Sequence, residues 1–250
     1  MSPPGLLAAI VFLSFLVEAA AGFGSMVVAL TLGAMWFPVN ELLAWLVPVN
    51  MVLSAYLVAR GWGSIRWSFL ARRMVPLMAL GLGLGTLVAT RAAETSWLKP
   101  VFGAFVMAVA AWQLQGALQP NVAPAALPGP ARVAALVGAG VIHGIFATGG
   151  PLAVFVSARE LTDKAAFRST LSMLWLVLNA LVMPRLVMDG AVSAGTLTTS
   201  GWMLGPLALG IGAGEWVHHR LDEARFRVVV AGLLLVAGAV LLTQSLRGAS

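Results

Sequence analysis

The 250-residue chain is 60% hydrophobic and only 10% charged, and its mean hydropathy is +0.95. Because soluble domains are roughly half apolar and a quarter charged, this composition excludes a soluble globular protein and predicts an all-α polytopic membrane protein. Cysteine is absent, which excludes disulfides and thiolate–zinc sites. The net charge of +6 lies in short segments between apolar runs, where a membrane protein needs basic residues for orientation, so it does not indicate nucleic-acid binding.

The first half of the chain is predicted to contain five helices. The first two, at 6–21 and 26–37, are separated by a glycine-bearing break, and at about 1.5 Å per residue neither comfortably crosses a hydrocarbon core of about 30 Å. Helices follow at 42–59, 74–90 and 97–114, with a basic loop between the first two of these. The segment 1–21 also has the length of a signal peptide, but it lacks an early Lys or Arg and has a counterpart in the second half.

The second half repeats this order after a proline-rich linker at 119–131. A helix at 133–146 leads into a second break, which is followed by a short helix at 152–157 and a charged loop at 159–168. Helices are then predicted at 170–182, 202–217 and 228–242, with a polar loop at 218–227. We therefore divide the chain into an N-terminal repeat, 1–118, and a C-terminal repeat, 132–250, within one transmembrane domain.

The two halves also match residue by residue. An offset of 125 places Glu18 on His143, Gly24 on Gly149 and Ser54 on Asn179, whereas an offset of 129 aligns a later glycine ladder. That ladder comprises Gly81, Gly83 and Gly85 in the first half and Gly210, Gly212 and Gly214 in the second. Two matching blocks in the same order indicate a duplication, and we interpret the ladder as a helix-packing surface.

The distribution of Lys and Arg predicts how the repeats are oriented. If the first two helices of each repeat form a re-entrant hairpin, the repeats are inverted and the basic residues divide eleven to four between the two sides. If those two helices form one interrupted crossing, the division is seven to eight. Because cytoplasmic loops are enriched in Lys and Arg, the inverted arrangement is favoured, with both termini outside.

The breaks themselves are predicted to meet near mid-membrane and to form one anion site. Backbone N–H groups at that depth must be buried in protein or line a cavity. In transporters with inverted repeats and broken helices, substrate binds at the midplane, where helix N-termini point at its anionic groups. The helix that follows each break would bring its free N–H groups and positive dipole end to this centre.

Three segments resemble the sulfite exporter TauE/SafE family: EAAAGFGS from Glu18 to Ser25, HGIFATGGP from His143 to Pro151, and KAAFRST from Lys164 to Thr170. The resemblance extends over about 6–116 and 132–244. It implies a transporter of small sulfur-containing anions such as sulfite, sulfoacetate or related sulfonates, without specifying which one. The first break has fewer glycines than many family members, so the number of backbone donors in that half is open.

The predicted substrate-binding residues lie at the breaks, at the end of the charged loop and on the helix after that loop: Gly22, Phe23, Gly24, Ser25, Thr148, Gly149, Gly150, Arg168 and Asn179. Most of them also have a structural interpretation: the glycines allow close packing, the hydroxyls cap helices, Arg168 extends to the interface and Asn179 makes an interhelical hydrogen bond. Glu18 and His143 are candidates for coupling protons because ionisable groups inside membrane helices are costly. The alternative is that they form a buried polar contact within the hairpin.

The sequence thus predicts a multi-pass inner-membrane anion transporter, with export favoured, in contact with the lipid bilayer and without a cofactor or metal. It leaves the oligomeric state, the coupling ion and the stoichiometry open. A non-transporting scaffold is one alternative function. Another is an intramembrane hydrolase using Ser25 and His143, although no nucleophile-elbow motif surrounds this serine.

Overall fold

The computed structural model of the chain describes residues 3–92, 98–118, 127–161 and 163–220, together with separate helical positions between 228 and 243. Within these ranges the backbone forms helices joined by short turns, and no strand occurs. The all-α prediction is therefore confirmed for the part of the chain that is described. Residues 119–126 of the predicted linker and 221–227 of the polar loop lie outside it, as does most of 228–242.

In the first half, the helices are α1 (Pro3–Ala21), α2 (Ser25–Gly33), α3 (Val39–Gly61), α4 (Trp67–Phe69), α5 (Val75–Ala92) and α6 (Leu98–Leu118). A 3₁₀ turn at Trp62–Ser64 and a π-helical turn at Leu70–Met74 connect α3 to α5. The predicted basic loop after α3 is therefore wrong, since most of it is helical. Phe69, Leu70 and Met74 are buried at helical spacing, while the arginines between them are exposed.

In the second half, the described helices are α7 (Gly129–Phe146), α8 (Gly150–Glu160), α9 (Lys164–Met188) and α10 (Ala194–Arg220). The predicted charged loop at 159–168 is also wrong, because only the residues between Glu160 and Lys164 separate α8 from α9. Asp163 caps the start of α9 by accepting a hydrogen bond from the Ala166 N–H at 2.7 Å. This cap places Arg168 on the helix itself.

Helix α2 is shorter than predicted, since it ends at Gly33 rather than at Phe37. Pro38 precedes α3 in an extended conformation, and a residue before proline is disfavoured in the α region. The chain therefore turns before it reaches the proline. At about 1.5 Å per residue, both α2 and α8 are too short to cross a bilayer core of about 30 Å.

Four helical segments in the described ranges are long and apolar enough to cross a membrane: Val39–Ser64, Trp67–Thr90, Gly129–Phe146 and Lys164–Met188. Gly5–Ala20 and Pro100–Trp112 are shorter apolar helices. Leu80 and Leu87 on the Trp67–Thr90 segment are more than half exposed, and so is Leu209 on α10. Such a surface suits a protein surrounded by lipid, in agreement with the composition.

Helices of the first half pack against helices of the second half. Helix α1 packs against α10, α7 packs against α5, and α3 packs against α9. Four of the six ladder glycines lie in these interfaces: a Cβ on Gly81 or Gly85 would meet the α7 backbone, and one on Gly210 or Gly214 would meet α1 atoms. Gly83 and Gly212 face open space. The predicted close-packing role is therefore confirmed for these four glycines and is wrong for Gly83 and Gly212.

Helices α3 and α9 form the centre of the molecule, and the two breaks lie beside them. Helix α2 contacts α3, and α8 contacts α9. The central pair contains several fully buried polar side chains, including Asn50, Ser54, Ser172 and Asn179. Buried polar groups need hydrogen-bond partners, so this centre is where a polar site is expected.

Candidate functional site

At the first break, the carboxylate of Glu18 accepts the hydrogen bonds offered at the start of α2. One of its oxygens accepts hydrogen bonds from the Ser25 hydroxyl and from the Ser25 N–H at 3.2 Å, so the carboxylate occupies the start of α2. The Asn50 side-chain Nδ2 lies 3.2 Å and 3.1 Å from the two carboxylate oxygens. The backbone can make this turn because Gly24 has a φ of 107°, which a residue with a side chain rarely adopts.

At the second break the backbone turns in a different way, and no carboxylate of the described residues lies at the start of α8. Ala147 ends α7 in the left-handed conformation, with a φ of 51°, and its N–H donates to the His143 carbonyl at 2.7 Å. Gly149 has an ordinary negative φ, but a Cβ there would collide with the Ala139 carbonyl oxygen and lie 2.9 Å from His143 Cβ. The two aligned glycines therefore serve different purposes: Gly24 provides a rare φ, and Gly149 allows α7 and α8 to approach closely.

A small, partly open cavity lies between the two breaks, and the empty space there is about 290 Å³ when the open space at its mouth is counted. Six of the residues that line it belong to the breaks or the first turns of α2 and α8: Gly24, Met26, Val27, Ala147, Thr148 and Gly150. The remaining lining comes from Glu18, Asn50, His143, Trp175 and Asn179. The starts of both short helices thus open onto one shared cavity.

Several buried polar atoms around this cavity have no hydrogen-bond partner within the described part of the chain. They include the Thr148 hydroxyl, the Trp175 indole Nε1 and both ring nitrogens of His143, on residues that are at most 5% exposed. The Asn179 side chain faces the His143 ring, but its Oδ1 makes no well-formed hydrogen bond. Unpaired buried polar groups are unfavourable in a folded protein, so their presence around a cavity points to a polar ligand.

The start of α8 adds main-chain donors to this group. The first N–H groups of any helix lack an intrahelical acceptor, and Pro151 removes one of them, which leaves those of Gly150 and Leu152. The Trp175 ring lies over this helix end, because its Cζ2 atom is 4.0 Å from a Cβ built on Gly150. The indole also stacks on the imidazole of His143, with ring centroids 6.0 Å apart. Donors from the helix end, a hydroxyl and two rings therefore surround one small space, which is a suitable arrangement for an anion.

The structure brings together six of the eleven site residues that the sequence predicted, since all six line the cavity: Glu18, Gly24, His143, Thr148, Gly150 and Asn179. Five do not line it: Gly22, Phe23, Ser25, Gly149 and Arg168. The Ser25 hydroxyl donates its hydrogen bond to Glu18. Gly149 lies against Ala139 and His143 of α7, on the side of the turn away from the cavity.

Arg168 lies at the side of the first break, away from the cavity. Its side chain packs over Gly22, where a Cβ would be 3.2 Å from Arg168 Cγ. Its guanidinium is 3.8 Å from the carboxylate of Glu215, which also accepts a hydrogen bond from the Tyr56 hydroxyl at 3.4 Å. Arg168 is therefore part of a separate charged group between α3, α9 and α10.

The structure does not assemble the serine–histidine pair considered for a hydrolase. The Ser25 hydroxyl is bonded to Glu18 and accepts from Asn50 Nδ2 at 2.9 Å, and neither ring nitrogen of His143 contacts it. A serine nucleophile requires a hydrogen bond to its base. The described geometry therefore gives no support to this alternative.

Sequence reasoning missed two residues of the site, Asn50 and Trp175. Asn50 accepts a 2.7 Å hydrogen bond from Asn179 Nδ2 and donates to Glu18, so it connects the two halves. A signal was present, because these asparagines are 129 residues apart, the spacing of the glycine ladder. Trp175 gave no comparable signal, since a tryptophan in an apolar helix is usually a packing or interfacial residue.

A family model described as "Sulfite exporter TauE/SafE" matches residues 6–241 of the chain. No curated protein and no solved structure gives a significant match to it.

Proposed function

This chain belongs to the sulfite exporter TauE/SafE family, a family of membrane transporters, and we propose that it exports small sulfur-containing anions. The substrate class comprises sulfite, sulfoacetate and related sulfonates. The anion binds in the cavity between the two breaks and is held by hydrogen-bond donors rather than by a buried cation. The inside-negative membrane potential favours export by about 2.3 kcal/mol per charge per 100 mV.

The observation that carries this proposal is the set of buried, unpaired polar groups around the cavity. Thr148 and Trp175 each present a donor there, and His143 presents two ring nitrogens. A sulfite or sulfonate group has three oxygens that accept hydrogen bonds in different directions, so it can satisfy several donors at once. The positive end of the α8 dipole favours the same ligand charge.

We further propose that the two repeats are inverted in the membrane, with both termini outside and the short helices entering from opposite sides. The exchange of contacts between halves supports a two-fold relation, since α1 packs on α10 as α7 packs on α5. The eleven-to-four distribution of Lys and Arg supports the orientation. In this arrangement Arg168 lies toward the cytoplasmic mouth, where a guanidinium attracts anions before they enter.

Flux measurements in proteoliposomes test this proposal. The purified protein should release labelled sulfite or sulfoacetate faster than empty liposomes do, and an inside-negative potential should increase the rate. A pH gradient tests proton coupling, for which Glu18 and His143 are the ionisable groups in the cavity lining. Equal flux with and without protein for every sulfur anion tested would refute the assigned substrate class.

A further inference from the structure

The two breaks are unequal in charge at their matching positions, which are Glu18 in the first half and His143 in the second. The Glu18 carboxylate receives the Ser25 N–H, the Ser25 hydroxyl and the Asn50 side-chain amide. It is 2% exposed, and every one of these three partners donates to it. The start of α2 therefore already holds a carboxyl group that accepts these hydrogen bonds and is supplied by the chain itself.

The start of α8 holds no comparable group within the described residues. The residue aligned with Glu18 there is a histidine, which offers ring nitrogens instead of carboxylate oxygens. Its nitrogens, the Thr148 hydroxyl and the Trp175 indole are among the buried groups of the described residues that have no hydrogen-bond partner, as is Asn179 Oδ1. At the first break the hydrogen-bond donors are paired with Glu18, whereas at the second break the corresponding donors have no partner in the described residues.

We propose that the cavity takes one substrate anion, at the start of α8, and that the Glu18 carboxylate is a tethered anion filling the matching place at the start of α2. This inference deepens the proposed function and rests on it. It assigns substrate contact to His143, Thr148, Gly150 and Trp175. It gives Glu18, Ser25 and Asn50 the role of positioning residues, which keep a second anion out.

The side-chain bridge between the halves fits this division. Asn50 directs its Nδ2 to Glu18 and receives Asn179 Nδ2 on its carbonyl oxygen. Both asparagines are at most 2% exposed, so these contacts lie inside the protein. The first half therefore presents a closed set of hydrogen bonds to the cavity, and the open donors lie on the other side.

Equilibrium binding of labelled sulfite, sulfoacetate and acetate to the purified full chain tests the inference. His143→Glu would place a tethered carboxylate at the second break as well, and we expect anion affinity to fall at least a hundredfold through like-charge repulsion. His143→Gln is the matched neutral variant; because it also removes the ring contact its affinity should fall, but at least tenfold less than that of His143→Glu. Equal affinity in these two variants would overturn the assignment of the substrate to α8.

The stoichiometry tests the role of Glu18. Wild type and Glu18→Gln, in which the side chain still fills the site, should bind one anion per chain. Glu18→Ala vacates the start of α2 and should bind two. A stoichiometry of one in all three proteins would overturn the claim that Glu18 occupies an anion place.

Two further measurements keep the test decisive if a Glu18 or His143 variant is unstable. Added acetate should raise the melting temperature of Glu18→Ala more than that of the wild type, because it replaces the missing carboxylate. Trp175→Phe keeps an aromatic ring, although a smaller one, and removes the N–H, so anion affinity should fall about tenfold or more. Trp202→Phe, on an exposed residue outside the cavity lining, is the control and should not change it. Loss in neither Trp175→Phe nor His143→Glu would refute the inference.

Failure of this inference can be distinguished from failure of the proposed function. If acetate binds with the expected variant pattern while sulfite and sulfoacetate do not bind, the single anion site stands and the sulfur substrate class is wrong. If sulfur anions are transported while His143→Glu and His143→Gln bind them equally, the function stands and the location of the site is wrong.

Discussion

Replacing Gly149 by alanine tests whether the close approach of α7 and α8 builds the site. The new Cβ would collide with the Ala139 carbonyl oxygen and lie 2.9 Å from His143 Cβ. Carbon atoms in contact are normally about 3.5–4.0 Å apart, so the second contact alone is too short by roughly 0.6 Å or more. Because one obstacle is helix backbone, α8 must move away from α7.

This movement has a calculable cost. Overpacking by one methyl group destabilises a well-packed interior by about 1–3 kcal/mol. If this free energy is lost from anion binding, because Thr148 and the α8 N–H groups move away from the anion, affinity falls by about 5- to 150-fold. Gly138→Ala is the matched control, since its added Cβ would make only an ordinary 3.6 Å contact with Leu152 of α8.

Both variants should be measured for anion binding, for flux in proteoliposomes and for melting temperature in the same detergent. We expect Gly149→Ala to lose binding, flux or stability by the stated amount, and Gly138→Ala to remain close to the wild type in all three. Equal behaviour of the two variants would refute the reasoning, because the same methyl group would then be tolerated at a blocked and an open position.

Three further predictions concern other parts of the molecule. Asn50→Ala should lower stability by about 1–3 kcal/mol in thermal unfolding, because Glu18 loses a buried donor; Ser54→Ala, which removes only a 3.4 Å bond to Asn50, should lower it less. Gly85→Ala should lower the melting temperature by forcing α5 from α7, whereas Gly83→Ala, with open space around its Cβ, should not. Arg168→Gln should slow flux most at low salt and leave equilibrium anion affinity unchanged, since Arg168 does not line the cavity; a change in affinity alone would contradict this.

Local sequence features were sufficient to predict the class of protein and the positions of the two helix breaks. The apolar composition predicted a helical membrane protein, and glycines that interrupt apolar runs predicted the breaks at Gly24 and Gly149. Both breaks occur where expected, and α2 and α8 begin directly after them. These features are readable because helix breaking depends on residues that are neighbours in the chain.

Charge was a poorer guide to helix boundaries. The arginines after α3 and the charged residues after α8 predicted loops, yet both segments are largely helical. Their charged side chains are mostly exposed, and buried residues such as Phe69 and Met74 hold the backbone in place. Whether a charged segment is helical therefore depended on what its apolar side packs against, which lies elsewhere in the chain.

The sequence by itself determined the all-α membrane class, the two breaks and the resemblance to a transporter family. Only the tertiary structure decided which break is closed and which is open, because that depends on partners far apart in the chain. Glu18 accepts a hydrogen bond from Asn50, 32 residues away, and Asn50 accepts one from Asn179, a further 129 residues along the chain. A buried polar group is paired or unpaired according to what the fold brings beside it, and here the fold leaves Thr148 and Trp175 facing the cavity without partners in the described residues.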